Sequence, residues 1–360
     1  MRVNKLLFKE YVRELRKTME YVGGEGDVQR EVEKFANVFA KYIGTKYAIA
    51  LNSGTDALQL SLTILGIKEG DKVIIPDLIY PVVGYVVKYV GAKPILIDVK
   101  REDLSIDVKQ IQKHIDKNTK AIIAVHMFSQ PCDIEEILHL ARKYNLYVIE
   151  DCCQAESSEY KGKKLGSFGD LSCFSFSYYK PLSSCGGGGG MVCFNDPRYK
   201  DLLKYTQVWL DDKCLLDINK RFPQMYLLDL VAVRTKFKFL SAIIKSREKI
   251  KKVYEKELEG LRQVKIFKDK PKAKCVLQNY LILAEERDKL NNFLKKKGII
   301  SQAPYKPLHL LEAFKEDAKG RYFKNSEEYF KKAIHLPLFS FMKEEEAYYI
   351  ANLIKHFYQK

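Results

Sequence analysis

The sequence lacks the features expected of a membrane protein, a secreted protein or a zinc protein. It has no uninterrupted apolar run of the roughly 18 residues that a membrane-spanning helix requires. Its N-terminus shows no apolar core followed by a small-residue cleavage site, so we predict no secretory signal and expect a cytoplasmic protein. None of its eight cysteines forms a C-x-x-C pair, which disfavours a zinc site and favours reduced, partly buried thiols.

Acidic residues are scarce relative to basic ones. The 62 Lys and Arg against 46 Asp and Glu give a formal net charge of +16. Such an excess can attract nucleic acid or small anions such as phosphates. The basic residues are spread widely, without an Arg-rich arm or zinc-finger spacing. We therefore expect a solvated basic surface and no nucleic-acid partner.

Apolar runs alternate with amphipathic stretches between about residues 45 and 195, which indicates alternating strands and helices. The runs expected to be strands are 48–51, 73–76, 94–98, 121–125, 146–151, 173–176 and 190–194. Because these runs are apolar throughout, both faces of their sheet should be covered. The pattern predicts an α/β protein with a mainly parallel sheet covered by helices.

The pattern changes after about residue 197. A long helical stretch is expected from Leu227 through Leu258, ended by Gly260, and shorter strands and helices follow it. This change predicts a large domain over residues 1–240 and a smaller C-terminal α/β domain over residues 241–360. The first 20 residues could pack on the smaller domain.

Two strand ends carry residues suited to binding a ligand. Residues 52–58, Asn-Ser-Gly-Thr-Asp-Ala-Leu, join a strand to a helix. The free N–H groups of a helix start suit a phosphate, although Ser, Thr and Asp also simply cap helices. Asp151 ends another apolar strand, with Gln154 three residues later. Ligands of parallel sheets bind beyond such ends, although an acid there could merely cap the next turn.

Lys180 ends an aromatic stretch, Phe-Ser-Phe-Ser-Tyr-Tyr-Lys, and is followed by the glycine run 186–190. Apolar surroundings make an amine more nucleophilic, although the lysine stem could simply pack on aromatic rings with its amine in water. The glycines either allow close approach of a ligand or another subunit, or form a flexible turn. Together these features predict a pyridoxal 5'-phosphate site. The 52–58 segment would bind the phosphate, Asp151 would pair with the ring nitrogen, and Lys180 would react with the aldehyde.

At this point the sequence resembles the DegT/DnrJ/StrS-type sugar aminotransferases, which are fold-type I pyridoxal-phosphate enzymes with an aspartate-aminotransferase-like fold. The resemblance runs from about Phe35 to the C-terminus. Its motifs, in order, are Asn-Ser-Gly-Thr-Asp-Ala-Leu at 52–58, Gly-Asp-Lys-Val-Ile-Ile-Pro at 70–76, Gly-Ala-Lys-Pro at 91–94, and the segments 125–133, 149–155, 160–170, 173–180, 219–221, 305–309 and 336–338.

The resemblance implies a role for individual residues. Lys180 would be the Schiff-base lysine, and Asp151 would pair with the pyridinium nitrogen. The other cofactor contacts implied are Gly54, Thr55 and Ser175 at the phosphate, Tyr80 on the ring, Gln154 near the ring hydroxyl, and Asn219 from the neighbouring subunit at the phosphate. Arg221 and His309 match positions near the substrate mouth. His126 either lies near the cofactor or is a satisfied core histidine.

The function implied is transfer of an amino group from an amino acid, with glutamate as the expected donor, to a nucleotide-linked keto sugar, in a homodimer with shared active sites. One alternative is a pyridoxal-phosphate sugar dehydratase, which Lys180 disfavours because known dehydratases of this type carry His there. Another is a non-catalytic regulatory protein on the same scaffold. Cys152–Cys153 stands where the family usually has Ala-Ala, a small-for-small change that should be tolerated, and Ser129 replaces a common Gly. The glycine run lacks the acid usually found before its paired glycines, so the family's geometry of the substrate-facing loop does not transfer.

Overall fold

The computed structural model of the protein describes residues 5–21, 25–200, 224–302 and 304–359. Its helices are α1 (Lys5–Tyr21), α2 (Glu25–Ile43), α3 (Gly54–Ile64), α4 (Val82–Tyr89), α5 (Val108–Ile111), α6 (Ile134–Tyr144), α7 (Leu227–Lys238), α8 (Leu240–Leu258), α9 (Arg287–Lys296), α10 (Lys315–Ala318), α11 (Lys324–Lys332) and α12 (Glu344–Tyr358). Its strands are β1 (Tyr47–Leu51), β2 (Lys72–Pro76), β3 (Lys93–Ile97), β4 (Thr119–Val125), β5 (Tyr147–Asp151), β6 (Glu159–Tyr160), β7 (Lys163–Lys164), β8 (Leu171–Ser175), β9 (Gly190–Phe194), β10 (Val264–Ile266), β11 (Ala273–Lys274), β12 (Tyr280–Ala284) and β13 (Ala333–Leu336). None of the described helices is both long enough and apolar enough to cross a membrane.

The largest sheet has seven strands, in the order β1-β9-β8-β5-β4-β2-β3. Every neighbouring pair in it is parallel except the two pairs that β9 makes with β1 and β8. The predicted α/β class with a mainly parallel sheet is therefore confirmed. Residues 176–189 join β8 to β9 without a helix, so the chain returns antiparallel beside the strand it left. This return loop carries Lys180.

Both faces of the sheet are buried, as the apolar strands predict. Alternate residues of a strand point to opposite faces. Ile75 of β2 and Ile123 of β4 join a core with residues of α3 and α4. Their neighbours Ile74 and Ile122 join a second core with residues of α6. Helices therefore cover the sheet on both sides, and its strand ends remain available to form a site.

A separate three-stranded antiparallel sheet, β10-β12-β13, packs with α8, α9 and α12. Every buried residue of that core lies between residues 250 and 354. We therefore propose, as the sequence predicts, a large domain over residues 1–240 and a smaller one over 241–360. The observed partner of α1 is α7, because Glu14 forms an ion pair with Lys238 at 2.8 Å and Arg234 donates to Thr18. That contact lies within residues 1–240.

The single helix expected from Leu227 through Leu258 is in fact two helices. The break falls at Phe239, which has φ −101° and ψ 9°. Residues of α7 such as Leu230 and Val233 belong to a core on the large sheet, whereas Ile250 and Tyr254 of α8 belong to the small core. The break therefore lies close to the point where the chain passes from one core to the other.

Four charged side chains, alternately positive and negative, form a ring between two segments of the chain, residues 1–240 and residues 241–360. Lys100 pairs with Asp103 at 3.1 Å and with Asp133, and Lys270 pairs with Asp133 at 3.0 Å and with Asp103. Only Lys270 comes from residues 241–360, so this four-charge ring links the two segments. Burial alone would raise the pKa of Asp103, but Lys270 and Lys100 outweigh it and hold that pKa below its ordinary value.

We predict that Asp103→Asn lowers the free energy of unfolding by about 1–3 kcal/mol at pH 7, because it leaves two partly buried lysines short of a counter-charge. A depressed folded pKa stabilises the protein fully above the unfolded pKa of about 4, and this stabilisation is lost as the pH falls through the lower folded pKa. The difference from wild type should therefore begin to shrink below about pH 4. Urea unfolding at several pH values measures it. Asp288→Asn, at an 84% exposed side chain paired with Arg287, is the control and should change little. A difference that stays constant from pH 7 to pH 3 would contradict the electrostatic explanation.

Candidate active site

The carboxyl ends of the parallel strands meet at one edge of the large sheet. Ser53 and Gly54 follow β1, Asp151 ends β5 and Ser175 ends β8. Asp151 pairs with Cys173 across the β5–β8 ladder, which brings the end of β8 close to it. Open α/β sheets bind ligands beyond this edge. The sequence segments expected to form one site are therefore adjacent in space.

Cys153 connects the predicted acid to the predicted amine. Its backbone N–H donates to Oδ1 of Asp151 at 2.9 Å, and its carbonyl accepts a hydrogen bond from Nζ of Lys180. Asp151 is buried and Lys180 is partly buried. Burial raises the pKa of the Cys153 thiol well above its usual range, so the thiol stays neutral and acts as a small apolar group. The replacement of the family's usual Ala by Cys is thus accommodated.

The start of α3 lies against the end of β8. Ser53 caps the helix, since its Oγ accepts from the N–H of Asp56 at 3.1 Å. The N–H groups of Gly54 and Thr55, in the first turn, have no acceptor within the helix. A Cβ on Gly54 would lie 2.7 Å from Cβ of Ser175 and 3.0 Å from Sγ of Cys153. The bare glycine therefore lets Ser175 and Cys153 approach the first turn of α3 closely, and the N-terminus of a helix suits a phosphate.

The glycine run packs against its own chain. A Cβ on Gly190 would lie 2.2 Å from the carbonyl oxygen of Ser53. The N–H of Gly186 donates to Oδ1 of Asp229 at 2.8 Å, and a Cβ on Gly188 would lie 2.8 Å from Oδ2 of that carboxylate. Packing within the chain thus accounts for these glycines. The sequence suggests instead either close approach of a ligand or another subunit, or a flexible turn. Asp229 of α7 was missed, because nothing local to the run points to it.

Aromatic residues border the site on the side of β2 and β4. Gln154 accepts from the N–H of Phe128 at 2.9 Å, and its amide lies 3.5 Å from the hydroxyl of Tyr305. The ring of Tyr80, which is 56% exposed, meets Tyr305 edge-on at 5.7 Å. Burial, and to a smaller extent the charges of Tyr80 and Asp151, raise the pKa of Tyr305 to about 12, so its phenol remains a hydrogen-bond donor at neutral pH. The sequence presents Tyr305 only as part of a motif; its contacts with Gln154 and Tyr80 are a finding of the structure.

The left-handed backbone at Phe128 and Ser129, with φ of 53° and 68°, shapes this border. Such φ values favour glycine, which explains why Gly is common in the family at the position of Ser129. The hydroxyl of Ser129 donates to the backbone carbonyl of Gln154. A local conformation that costs roughly 1–3 kcal/mol is thus held by a contact to a residue of the site.

His126 belongs to a buried network behind the site. Its Nε2 lies 2.9 Å from Oε2 of Glu150, and its Nδ1 accepts from the N–H of Cys132. Glu150 also accepts from the N–H groups of Gly166, Phe168 and Gly169. His126, Glu150 and Cys152 lie close enough together to hold a metal ion, but the first two already satisfy each other. The structure therefore supports the interpretation of His126 as a satisfied core histidine.

His309 is engaged by protein groups. Its ring Nδ1 lies 2.7 Å from Oδ2 of Asp77, and its backbone N–H donates to Oδ1 of the same carboxylate. Its ring stacks on that of Phe323, with 4.7 Å between the ring centroids. These contacts fix the 305–309 segment, and with it Tyr305, to the end of β2. The substrate role of His309 stays a prediction. Asn219 and Arg221 lie outside the described residues.

Comparison with known proteins decides the family. A model of the DegT/DnrJ/EryC1/StrS aminotransferase family matches residues 8–355. The chain belongs to this family. The resemblance on which the sequence interpretation depends is thereby confirmed.

Three relatives of this family member illustrate its range. It is 35% identical over 368 residues to the GDP-perosamine synthase of Escherichia coli O157:H7, and the alignment covers 97% of this chain and 95% of that protein. It is 31% identical over 336 residues to the pleiotropic regulatory protein of Geobacillus stearothermophilus, and the alignment covers 91% of this chain and 89% of that protein. The crystal structure of S. venezuelae DesV in complex with a ketimine intermediate matches with a TM-score of 0.90 at 25% identity, over 99% of this chain and 96% of that one. The predicted fold type I is therefore confirmed.

We predict that Gly190→Ala lowers the free energy of unfolding of this aminotransferase by more than about 2 kcal/mol, because the new Cβ collides with the Ser53 carbonyl and displaces the turn before α3. Gly66→Ala is the control. That glycine has φ 71° but nothing within 4 Å of its Cβ position, so it should cost only about 1 kcal/mol of backbone strain. Equal losses in urea unfolding would mean that close packing does not explain Gly190.

Proposed function

We propose that this chain is a pyridoxal 5'-phosphate-dependent aminotransferase that moves an amino group from an amino acid, in our proposal glutamate, to a keto sugar linked to a nucleoside diphosphate. The observation that carries the proposal is the bridge made by Cys153. One residue bonds the Asp151 carboxylate through its N–H and the Lys180 amine through its carbonyl. An acid and an amine are thereby held together close to the N-terminus of α3.

The residues present fit this cofactor. The space kept open by Gly54, and lined by the N–H groups of α3 and by Ser175, would take the phosphate. Asp151 uses Oδ1 for Cys153, and its Oδ2 would hold the proton of the ring nitrogen. Tyr80 and Gln154 would contact the ring. When bound, the cofactor supplies an electron sink for carbanion chemistry.

The chain's own groups then have separate tasks. Lys180 would hold the cofactor by its aldehyde and, once displaced by the amino donor, its Nζ would take a proton from one carbon and return it to another. The Cys153 carbonyl would accept a hydrogen bond from the displaced amine. The Asp151 carboxyl group would stay beside the ring nitrogen throughout. Tyr305, a neutral phenol, would donate a hydrogen bond at the border of the site.

The relatives guide the choice of substrate. The similarity to a GDP-perosamine synthase supports a GDP-linked sugar as the first substrate to test. The DesV complex supports transamination chemistry on this fold. The net charge of +16 favours the approach of a diphosphate, although only through long-range attraction.

One relative favours a second candidate function. The Geobacillus stearothermophilus protein is named as a pleiotropic regulatory protein, so a regulator on this scaffold is the competing proposal. Lys180 and Asp151 are both present here and bridged by Cys153, which favours the enzyme. Visible absorbance of the purified protein distinguishes an enzyme that holds its cofactor from a colourless, salt-sensitive DNA binder.

We further propose that the enzyme is a homodimer whose sites are shared between chains. In the family, the residue at Asn219 reaches the phosphate of the partner's cofactor. Large aromatic side chains stand exposed around the return loop, including Tyr178, Tyr179 and Tyr226. Exposed apolar groups clustered beside a site support cover by another surface, here a second copy of the chain.

We predict that protein first loaded in the amine form regains the visible absorbance of the aldehyde form when a GDP-linked keto sugar is added. Lys180→Ala should fail to do so, and borohydride treatment of wild type should attach the cofactor at Lys180 in peptide mapping. Lys93→Ala, an exposed lysine at the opposite end of the sheet, is the control and should behave as wild type. Attachment at another lysine would refute the assignment, and recovery only with UDP or dTDP sugars would change the nucleotide.

We predict that mixing Lys180→Ala with Asn219→Ala restores activity. Neither variant alone should be fully active, whereas the mixed dimer contains one doubly damaged site and one intact site, so it should approach about half of wild-type activity. Separately tagged chains, purified as the mixed species, allow the measurement. If Asn219 served its own chain, every site would carry one lesion and mixing would rescue nothing. A monomer in sedimentation at working concentration would also contradict the proposal.

A further inference from the structure

The carbonyl of Cys153 has two donors. Besides Nζ of Lys180, it accepts a hydrogen bond from Nε2 of Gln278 at 3.0 Å. Gln278 precedes β12 and therefore reaches the site from the C-terminal segment. A carbonyl oxygen can accept two hydrogen bonds, but each donor draws on the same electron density and weakens the other. The strength with which this carbonyl holds the lysine amine therefore depends on Gln278.

Gln278 is itself held by a buried arginine. Nη1 of Arg247 donates to the backbone carbonyls of Leu277 at 2.8 Å and Gln278 at 3.0 Å, and lies 3.3 Å from that of Leu338. Arg247 is only 4% exposed. Burial lowers its pKa to about 10, so the guanidinium remains charged at neutral pH. Charge buried at this depth is costly unless its donors are used, and here they fix the backbone beside Gln278.

The same guanidinium also approaches the lysine loop. Nη2 of Arg247 lies 3.5 Å from the carbonyl oxygen of Tyr179, the residue immediately before Lys180. Tyr179 has φ 70°, a left-handed conformation that is strained for a tyrosine. Behind the loop, Glu156 is buried and accepts from the N–H of Leu182. Burial raises the pKa of Glu156, while the positive charges of Lys180 and Arg247 oppose that rise.

We propose that Gln278, held in place by Arg247, is a positioning residue that sets how tightly the Lys180 amine is held at the Cys153 carbonyl. The inference rests on the proposed function, in which Lys180 must leave this carbonyl to react with an aldehyde. Gln278 shares the carbonyl and so weakens its hold on the amine. Without the Gln278 amide, the carbonyl bonds the amine alone and releases it more slowly.

The test measures how fast cofactor-free protein captures pyridoxal phosphate at Lys180. Protein is mixed with pyridoxal phosphate, quenched with borohydride at increasing times, and mapped for the Lys180 adduct by mass spectrometry. Gln278→Met keeps the length of the side chain and removes the donor. We expect capture to slow by about two- to fourfold, because the loss of one donor strengthens the remaining hydrogen bond by only part of its free energy. Arg247→Lys keeps the positive charge but loses the forked guanidinium that bonds the backbone beside Gln278. It should therefore slow capture less than Gln278→Met does.

Gln302→Met is the matched control, because it removes an exposed amide that bonds Asn279 rather than Cys153. It should leave the capture rate unchanged. A rate for Gln278→Met indistinguishable from that of wild type, or a loss equal to that of Gln302→Met, would overturn the proposal. If Gln278→Met does not unfold cooperatively, Gln278→Asn replaces it, since its shorter side chain cannot span the contact. Absence of any Lys180 adduct in wild type would instead refute the proposed function, so the two failures are distinguishable.

Discussion

The backbone of Cys153 is the contact on which the proposed site depends. Its N–H faces the end of β5 and its carbonyl faces the loop that returns from β8. The N–H and the carbonyl of one residue are separated only by its Cα, so a carboxylate and an amine bonded to these two groups are held close together. The antiparallel β9 is part of this constraint, since it brings the lysine loop back across the edge of the sheet.

Close backbone packing surrounds that contact. Gly54 admits Ser175 and Cys153 to the start of α3, and Gly190 lies against the carbonyl of Ser53. Asp229 reaches the loop from α7 and bonds Gly186. Three elements far apart in the chain thus converge where side chains would keep them separate. The glycines provide the shape of the cradle, and the polar groups around it provide its chemistry.

Buried charge at the site is balanced mainly by backbone groups. Arg247 bonds three backbone carbonyls in two loops, and Glu150 accepts from three N–H groups and pairs with His126. Networks satisfied in this way are rigid, because each group would be left unpaired in a low dielectric if it moved. Rigidity of this kind suits a site in which one side chain, Lys180, has to move while the carboxylate beside it stays in place.

The sequence by itself determined the sheet, the position of its strands and the segments that supply the proposed acid, amine and phosphate cradle. Apolar runs and glycine turns are local signals, and the family motifs preserved their order. Only the tertiary structure decided that Asp229 packs into the glycine run, that His126 is satisfied by Glu150, and that the expected long helix breaks at Phe239. It also decided that Gln278, which Arg247 holds in place, shares the Cys153 carbonyl with Lys180. Such contacts join residues up to 125 positions apart. No local pattern of apolar or polar residues encodes which distant backbone carbonyl a buried side chain will contact.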